Sequence, residues 1–231
     1  AGAVGAATAT NIIANTVQAY IRASTVEATG GNLTLTATET SLIDAISAGG
    51  AVSIGVGAAA GAAAAGAGGT ASSTTTNRVE AFIDAQSVAT TVTSGNIALT
   101  ASDASTVNAK TLAASVAFAA GAGAGTVSVG AALATNTISN IVRAYSETST
   151  LTSAASLTLA ASATPTITAT SIAASVAVSA APIGAAFSGA GADSTNTINN
   201  VITAFIAGTE QARSSTTAAG AISLNASETA T

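Results

Sequence analysis

The sequence predicts an elongated all-β tandem array, wound as a β-solenoid of about 62-residue repeats, on three observations. A block returns at near-constant spacing. Short segments alternate apolar and small polar residues with period two. The composition leaves few large side chains for a globular core. The block Asn15-Thr-Val17-Gln-Ala19-Tyr20-Ile21 recurs from Asn77, from Asn140 and from Asn200, steps of 62, 63 and 60 residues by subtraction. Aromatic residues are 3% and charged residues 6% of the chain, so stability must come from backbone ladders and repetition. A row of stacked β-sandwich units is the alternative closure, but about sixty residues is small for an independent sandwich, and continuous stacking is favoured.

Within one repeat the elements follow in order. The Asn block alternates, with Val142 and Ala144 on one face and Arg143 and Tyr145 on the other. A stretch of variable length follows: Asn15 to Leu33, Asn77 to Ile97, Asn140 to Leu157 and Asn200 to Ile222 span 18, 20, 17 and 22 residues by subtraction. Length variation at one point per repeat reads as a loop on one face, around 22–31, 83–95, 146–156 and 207–220. Next comes a strict period-two strand, Leu33-Thr-Leu35, repeated as Ile97-Ala-Leu99, Leu157-Thr-Leu159 and Ile222-Ser-Leu224. Apolar positions then recur in register at Ile43, Val107 and Ile167, and at Val52, Val116 and Val176. The Gly/Ala tract that closes each repeat is read as strand, turn, strand. Its interspersed glycines penalise a helix by about 1 kcal/mol each, and they let sheets approach closely. About five or six short strands per repeat result. Residues 1–231 form one array, with repeats anchored at 11–72, 73–135, 136–195 and 196–231, the last partial. The chain reads as a segment of a longer one.

Charge and composition exclude several functions. A net charge of −5, with Arg22, Arg78, Lys110, Arg143 and Arg213 scattered, makes nucleic acid an unsuitable partner. The uncharged stretch 51–69 is Gly-interrupted and lacks Leu and Phe, so no transmembrane segment is expected. With no His and no Cys, the chain offers no triad and no thiolate metal site. Asp44, Asp84, Asp103 and Asp193 read as isolated turn or surface residues. The glycines fit neither a phosphate loop nor the calcium-binding nonapeptide repeat. No enzyme activity, metal or cofactor is expected.

The candidate residues are architectural. Asn15, Asn77, Asn140 and Asn200 suit either an amide ladder, each side chain bonding its equivalent one coil away, or a cap at a strand end. Tyr20, Phe82, Tyr145 and Phe205 take one position per repeat, on the face of Gln18, Glu80, Arg143 and Thr203. They read as a packing ladder, with an exposed aromatic stripe as the sharper alternative. The Thr-rich runs Thr34–Thr38 and Thr164–Thr170 invite an ice-binding reading, but the third Thr is lost in other repeats.

The recurring Thr-Asn-Thr-Ile of Thr135–Ile138 and Thr195–Ile198, running into Asn-x-Val-x-Ala-Tyr/Phe, resembles the β-strand repeats of very large bacterial surface proteins, the filamentous haemagglutinin-like and leukotoxin-like adhesins. The resemblance implies a secreted or cell-surface, elongated, β-rich stalk. The expected function is a structural segment of an extracellular fibre or adhesin stalk that self-associates through strand edges and low-charge faces. The alternative is a surface-binding module, for a host or surface glycan or for ice, using a Thr-rich or aromatic face.

Overall fold

The backbone N–H and C=O groups of each strand need partners on both edges, and the repeat supplies them from the neighbouring coils. In the computed structural model, which describes residues 1–85, 90–209 and 212–231, the chain winds coil upon coil as a β-solenoid-like parallel array. After β1 (Gly2–Ile13), each coil lays down five strands. The first coil holds β2 (Thr16–Arg22), β3 (Thr25–Ala28), β4 (Leu33–Glu39), β5 (Leu42–Val56) and β6 (Ala60–Thr75). The second holds β7 (Arg78–Asp84), β8 (Thr91–Ser94), β9 (Ile97–Asp103), β10 (Thr106–Ala120) and β11 (Gly123–Ile138). The third holds β12 (Ile141–Glu147), β13 (Thr150–Ser153), β14 (Leu157–Ala163), β15 (Thr166–Ala180) and β16 (Ile183–Ile198). A fourth contributes β17 (Val201–Ala207), β18 (Ser215–Ala218) and β19 (Ile222–Glu228).

Every pairing is parallel and joins a strand to its equivalent one coil away, giving the five sheets β1-β6-β11-β16, β5-β10-β15, β2-β7-β12-β17, β3-β8-β13-β18 and β4-β9-β14-β19. The register stacks like on like: Val17, Val79, Val142 and Ile202 form one column, and Leu35, Leu99, Leu159 and Leu224 another. This continuous stacking replaces the alternative row of sandwiches.

The cross-section has two parts with different interiors. The sheets containing β7, β8 and β9 wrap a body filled by Val79, Ile83, Val92, Ile97, Leu99, Leu151, Leu157 and Leu159. Each such side chain contributes about 1.5–3 kcal/mol on burial. The sheets containing β5 and β6 run out from the body and back as a two-layer blade. Its interior is Ala51, Ala63, Ala65, Ala67, Ala113, Ala117, Ala119, Ala124 and Ala132. Stacked sheets ordinarily lie about 10 Å apart. Here they come far closer, because a Cβ placed on Gly49 would sit 1.9 Å from the main-chain oxygen of Gly68 in the facing sheet. Serines bridge the gap that main-chain bonds cannot: Ser47 Oγ donates to the carbonyl of Ala7 at 2.8 Å, and Ser175 Oγ to that of Ser128 at 2.7 Å. Ile43, Val107 and Ile138 seal the neck where blade meets body.

Two expectations need correction. Two strands of each complete coil are long, of 15 and 16 residues in the first, because Gly49, Gly50 and Gly55 lie extended within β5 and the chain turns only at 57–59. The variable stretch is not loop throughout, since it carries the short strands β3, β8, β13 and β18. Length variation concentrates at one corner, spanning 23–24 after β2 and 148–149 after β12, but 85–90 after β7 and 208–214 after β17. The tight versions turn on Ala23 and Thr148, each with a left-handed φ of 49°. Within the predicted loop stretches, 86–89 and 210–211 lie outside the described residues.

Candidate functional site

The four anchor asparagines fall at the corner between the blade and the body. The backbone N–H of Asn15 donates to Asn77 Oδ1 at 2.9 Å, that of Asn77 to Asn140 Oδ1 at 2.7 Å, and that of Asn140 to Asn200 Oδ1 at 2.7 Å. The ladder therefore runs from main chain to side chain, not amide to amide, and it also serves the turn. That leaves each Nδ2 free to cross the neck. Asn15 Nδ2 donates to Glu39 Oε1 at 2.9 Å, and Asn77 Nδ2 to Ser41 Oγ at 3.1 Å. Asn140 Nδ2 donates to Asp103 Oδ2 at 2.8 Å and Ser105 Oγ at 2.9 Å, and Asn200 Nδ2 to Glu228 Oε1 at 2.8 Å.

Asp103, expected at the surface, is 2% exposed, and its Oδ1 also accepts from Ser105 Oγ at 2.8 Å. A buried carboxylate is costly without donors, and these supply them. Asp84 likewise belongs to a pair, 3.2 Å from Arg22 Nε. The acids and serines of the neck went unread in the sequence. Their signal is an acid four residues after the second apolar position of the Leu strand, at Glu39, Asp103 and Glu228, with Ser41 and Ser105 two residues further on. Ala163 breaks the series in the third coil.

The aromatic position forms a stack on the outer side of the body. Centroids of Tyr20 and Phe82, Phe82 and Tyr145, and Tyr145 and Phe205 lie 5.1, 4.9 and 5.0 Å apart, with rings within 10° of parallel. Such pairs contribute about 0.5–1.5 kcal/mol each beyond area burial. Phe82 and Tyr145 are buried while Tyr20 is 52% exposed, so the rings form a packing ladder and leave no continuous open stripe. Beside them Glu80 is fully buried. Its Oε2 accepts from Gln18 Nε2 at 2.7 Å, and its Oε1 lies 2.7 Å from Arg78 Nη2, paired by charge without hydrogen-bond geometry. Arg22 spreads over the rings of Tyr20 and Phe82, 5.2 and 5.1 Å from their centroids.

Burial pushes the Tyr145 phenol above its ordinary value of about 10, and the negative charges of Glu80 and Asp84 push the same way against Arg78 and Arg22. The folded state therefore holds this proton where the unfolded chain has lost it. The associated stability is complete below pH 10 and is lost as pH rises through the folded value. Tyrosinate absorbance should show a phase above pH 10 that disappears in Tyr145→Phe; two phases surviving that change would contradict the assignment.

A shallow groove of about 470 Å³ runs along the foot of the blade, lined by Asp44, Ile46, Asn108, Lys110, Thr168 and Thr170. Asn108 Nδ2 donates to Asp44 Oδ1 across it at 2.7 Å. Among the described residues no three acidic, His or Cys side chains gather as metal ligands, and no helix is long and apolar enough to cross a membrane. The ladders hold each coil to the next through charged, amide and aromatic columns at once. No family model, curated protein or solved structure matches the chain.

Proposed function

We propose that the chain is a structural segment of an extracellular bacterial fibre or adhesin stalk, whose activity is extension and self-association. The observation that supports this is the uninterrupted coil-to-coil stacking, in which every strand pairs in register with its equivalent in the next coil and the core columns meet like with like. Such an array grows by adding coils without redesign, as a stalk requires. Low charge lets neighbouring rods pack side by side. Negative-stain electron microscopy of the purified chain is the test. Ordered filaments or regular lateral bundles are the expected result, and isolated particles at high concentration would count against the reading.

One observation favours the surface-binding alternative. On the outer side of the blade Thr10, Ser72, Thr135 and Thr195 make one hydroxyl column, and Thr74, Thr137 and Thr197 extend a second beside it. These columns differ from the Thr-rich runs singled out in the sequence, and they offer a regular hydroxyl lattice to ice or a glycan surface. Single particles that adsorb to ice or immobilised polysaccharide and form no polymer would favour it.

A further inference from the structure

The blade carries an exposed apolar face on the sheet β5-β10-β15. Its outward positions are Ala48, Gly50, Val52, Ile54 and Val56 on β5, then Leu112, Ala114, Val116, Phe118 and Ala120 on β10. On β15 they are Ile172, Ala174, Val176, Val178 and Ala180, all in register. Most of the large ones are well exposed, Val52 at 65% and Ile54 at 63%. The charged residues on this outward face, Asp44 and Lys110, stand at the foot of the blade, outside the patch.

Side-chain sizes along the three strands are complementary about the central valine column. Turning the face half a revolution about an axis along the stack, through Val52, Val116 and Val176, brings position 50 against 54, 114 against 118, and 174 against 178. Gly50 then meets Ile54, Ala114 meets Phe118, and Ala174 meets Val178 of the other copy. The flanking positions behave alike: Ala48 meets Val56, Leu112 meets Ala120, and Ile172 meets Ala180. In every pair one side chain is large and its opposite small, while valine meets valine on the axis. A self-complementary patch is the property an isologous two-fold interface needs.

We infer that this face docks onto the same face of a second copy, with the two stacks side by side, coils level and strands antiparallel across the contact. Outward side chains recur about every 6.6 Å along a strand and coils lie about 4.8 Å apart, so each position covers about 32 Å². Five positions on each of three strands then give about 480 Å² of flat sheet per copy. A stable interface takes about 800 Å² per partner. Three coils therefore give a reversible dimer, and each added coil adds about 160 Å² to the contact. The inference deepens the fibre reading by naming the face that joins neighbouring stacks.

Sedimentation velocity of the full chain over a concentration series tests it. A reversible monomer–dimer equilibrium is expected. Val116→Glu, which sets two carboxylates against each other on the axis, should weaken it by about 100-fold or more. Ala114→Phe should break it by opposing two large rings, and the double change A114F/F118A should restore it. Ala131→Phe, on the opposite face of the blade, should leave it unchanged. All are outward positions, and circular dichroism checks that each variant keeps its strand content. A chain monomeric up to its solubility limit overturns the proposal, as does an association indifferent to Val116→Glu, or one that A114F/F118A fails to recover. Filaments in micrographs of a laterally monomeric chain would leave the fibre reading standing and remove this one. Dimers without filaments would do the reverse.

Discussion

Gly69→Ala is expected to destabilise the chain by about 3 kcal/mol, whereas Gly68→Ala, one residue earlier, should stabilise it by about 0.5–1 kcal/mol. Both sit in β6 and differ only in the face they present. A Cβ on Gly69 points into the blade and would lie 2.4 Å from the carbonyl oxygen of Leu112 in the facing sheet. That neighbour is main chain, held in register by strands on both sides, so it cannot swing away as a side chain would. Relief requires parting the two sheets locally, and the in-register ladders spread that displacement to the coils above and below. Overpacking generally costs about 1–3 kcal/mol, and a contact with fixed backbone belongs at the upper end. At Gly68 a Cβ would meet nothing within 4 Å, so alanine there only reduces the freedom of the unfolded chain. Urea denaturation of the two variants gives midpoints on opposite sides of the parent if the sheets are as close as described. Midpoints moving the same way would contradict that closeness.

Asn140→Ala should cost about 3–5 kcal/mol. The amide is fully buried, and its removal leaves the N–H of Asn77 without its acceptor and takes one donor each from the carboxylate of Asp103 and the hydroxyl of Ser105. Ser105 still serves Asp103 through its hydroxyl and its backbone N–H, but a buried charge that loses a bond is the expensive kind of vacancy. Asn200→Ala offers the comparison. It too removes the acceptor of a backbone N–H, that of Asn140, but its Nδ2 bond to Glu228 is exposed to solvent and no buried carboxylate loses a donor, so about 1–2 kcal/mol is expected there. A loss of similar size at both positions, measured by the same denaturation, would show that burial of the neck does not set the cost.

Much of the architecture was legible because the ladders repeat their residues. Val17, Val79 and Val142 announce a column by their spacing alone, and so do Leu35, Leu99 and Leu159. The stacking of Tyr20, Phe82, Tyr145 and Phe205 followed from the same logic. The neck was hidden for a physical reason. Asn140 and Asp103 come together across the neck 37 residues apart, at the two ends of a long Gly/Ala/Val tract whose alternation carries no sign that polar side chains meet there. Ala163 then removes the acid from one coil, in register between Asp103 and Glu228. The blade was read correctly as strand, turn, strand, but its length was not. Gly and Ala give no local cue to where a strand stops; the facing sheet decides that.

The alanine interior of the blade also bears on how the protein responds to temperature. Unfolding raises the heat capacity in proportion to newly wetted hydrocarbon and lowers it for wetted peptide. A layer lined by Ala51, Ala63, Ala117 and Ala132 uncovers methyl groups and a great deal of backbone, but few long aliphatic chains. Its heat-capacity increment per residue thus falls below the usual figure of about 12–15 cal/mol/K, and the curve of free energy against temperature flattens. Such a stack holds nearly the same cohesion in the cold as in the warm.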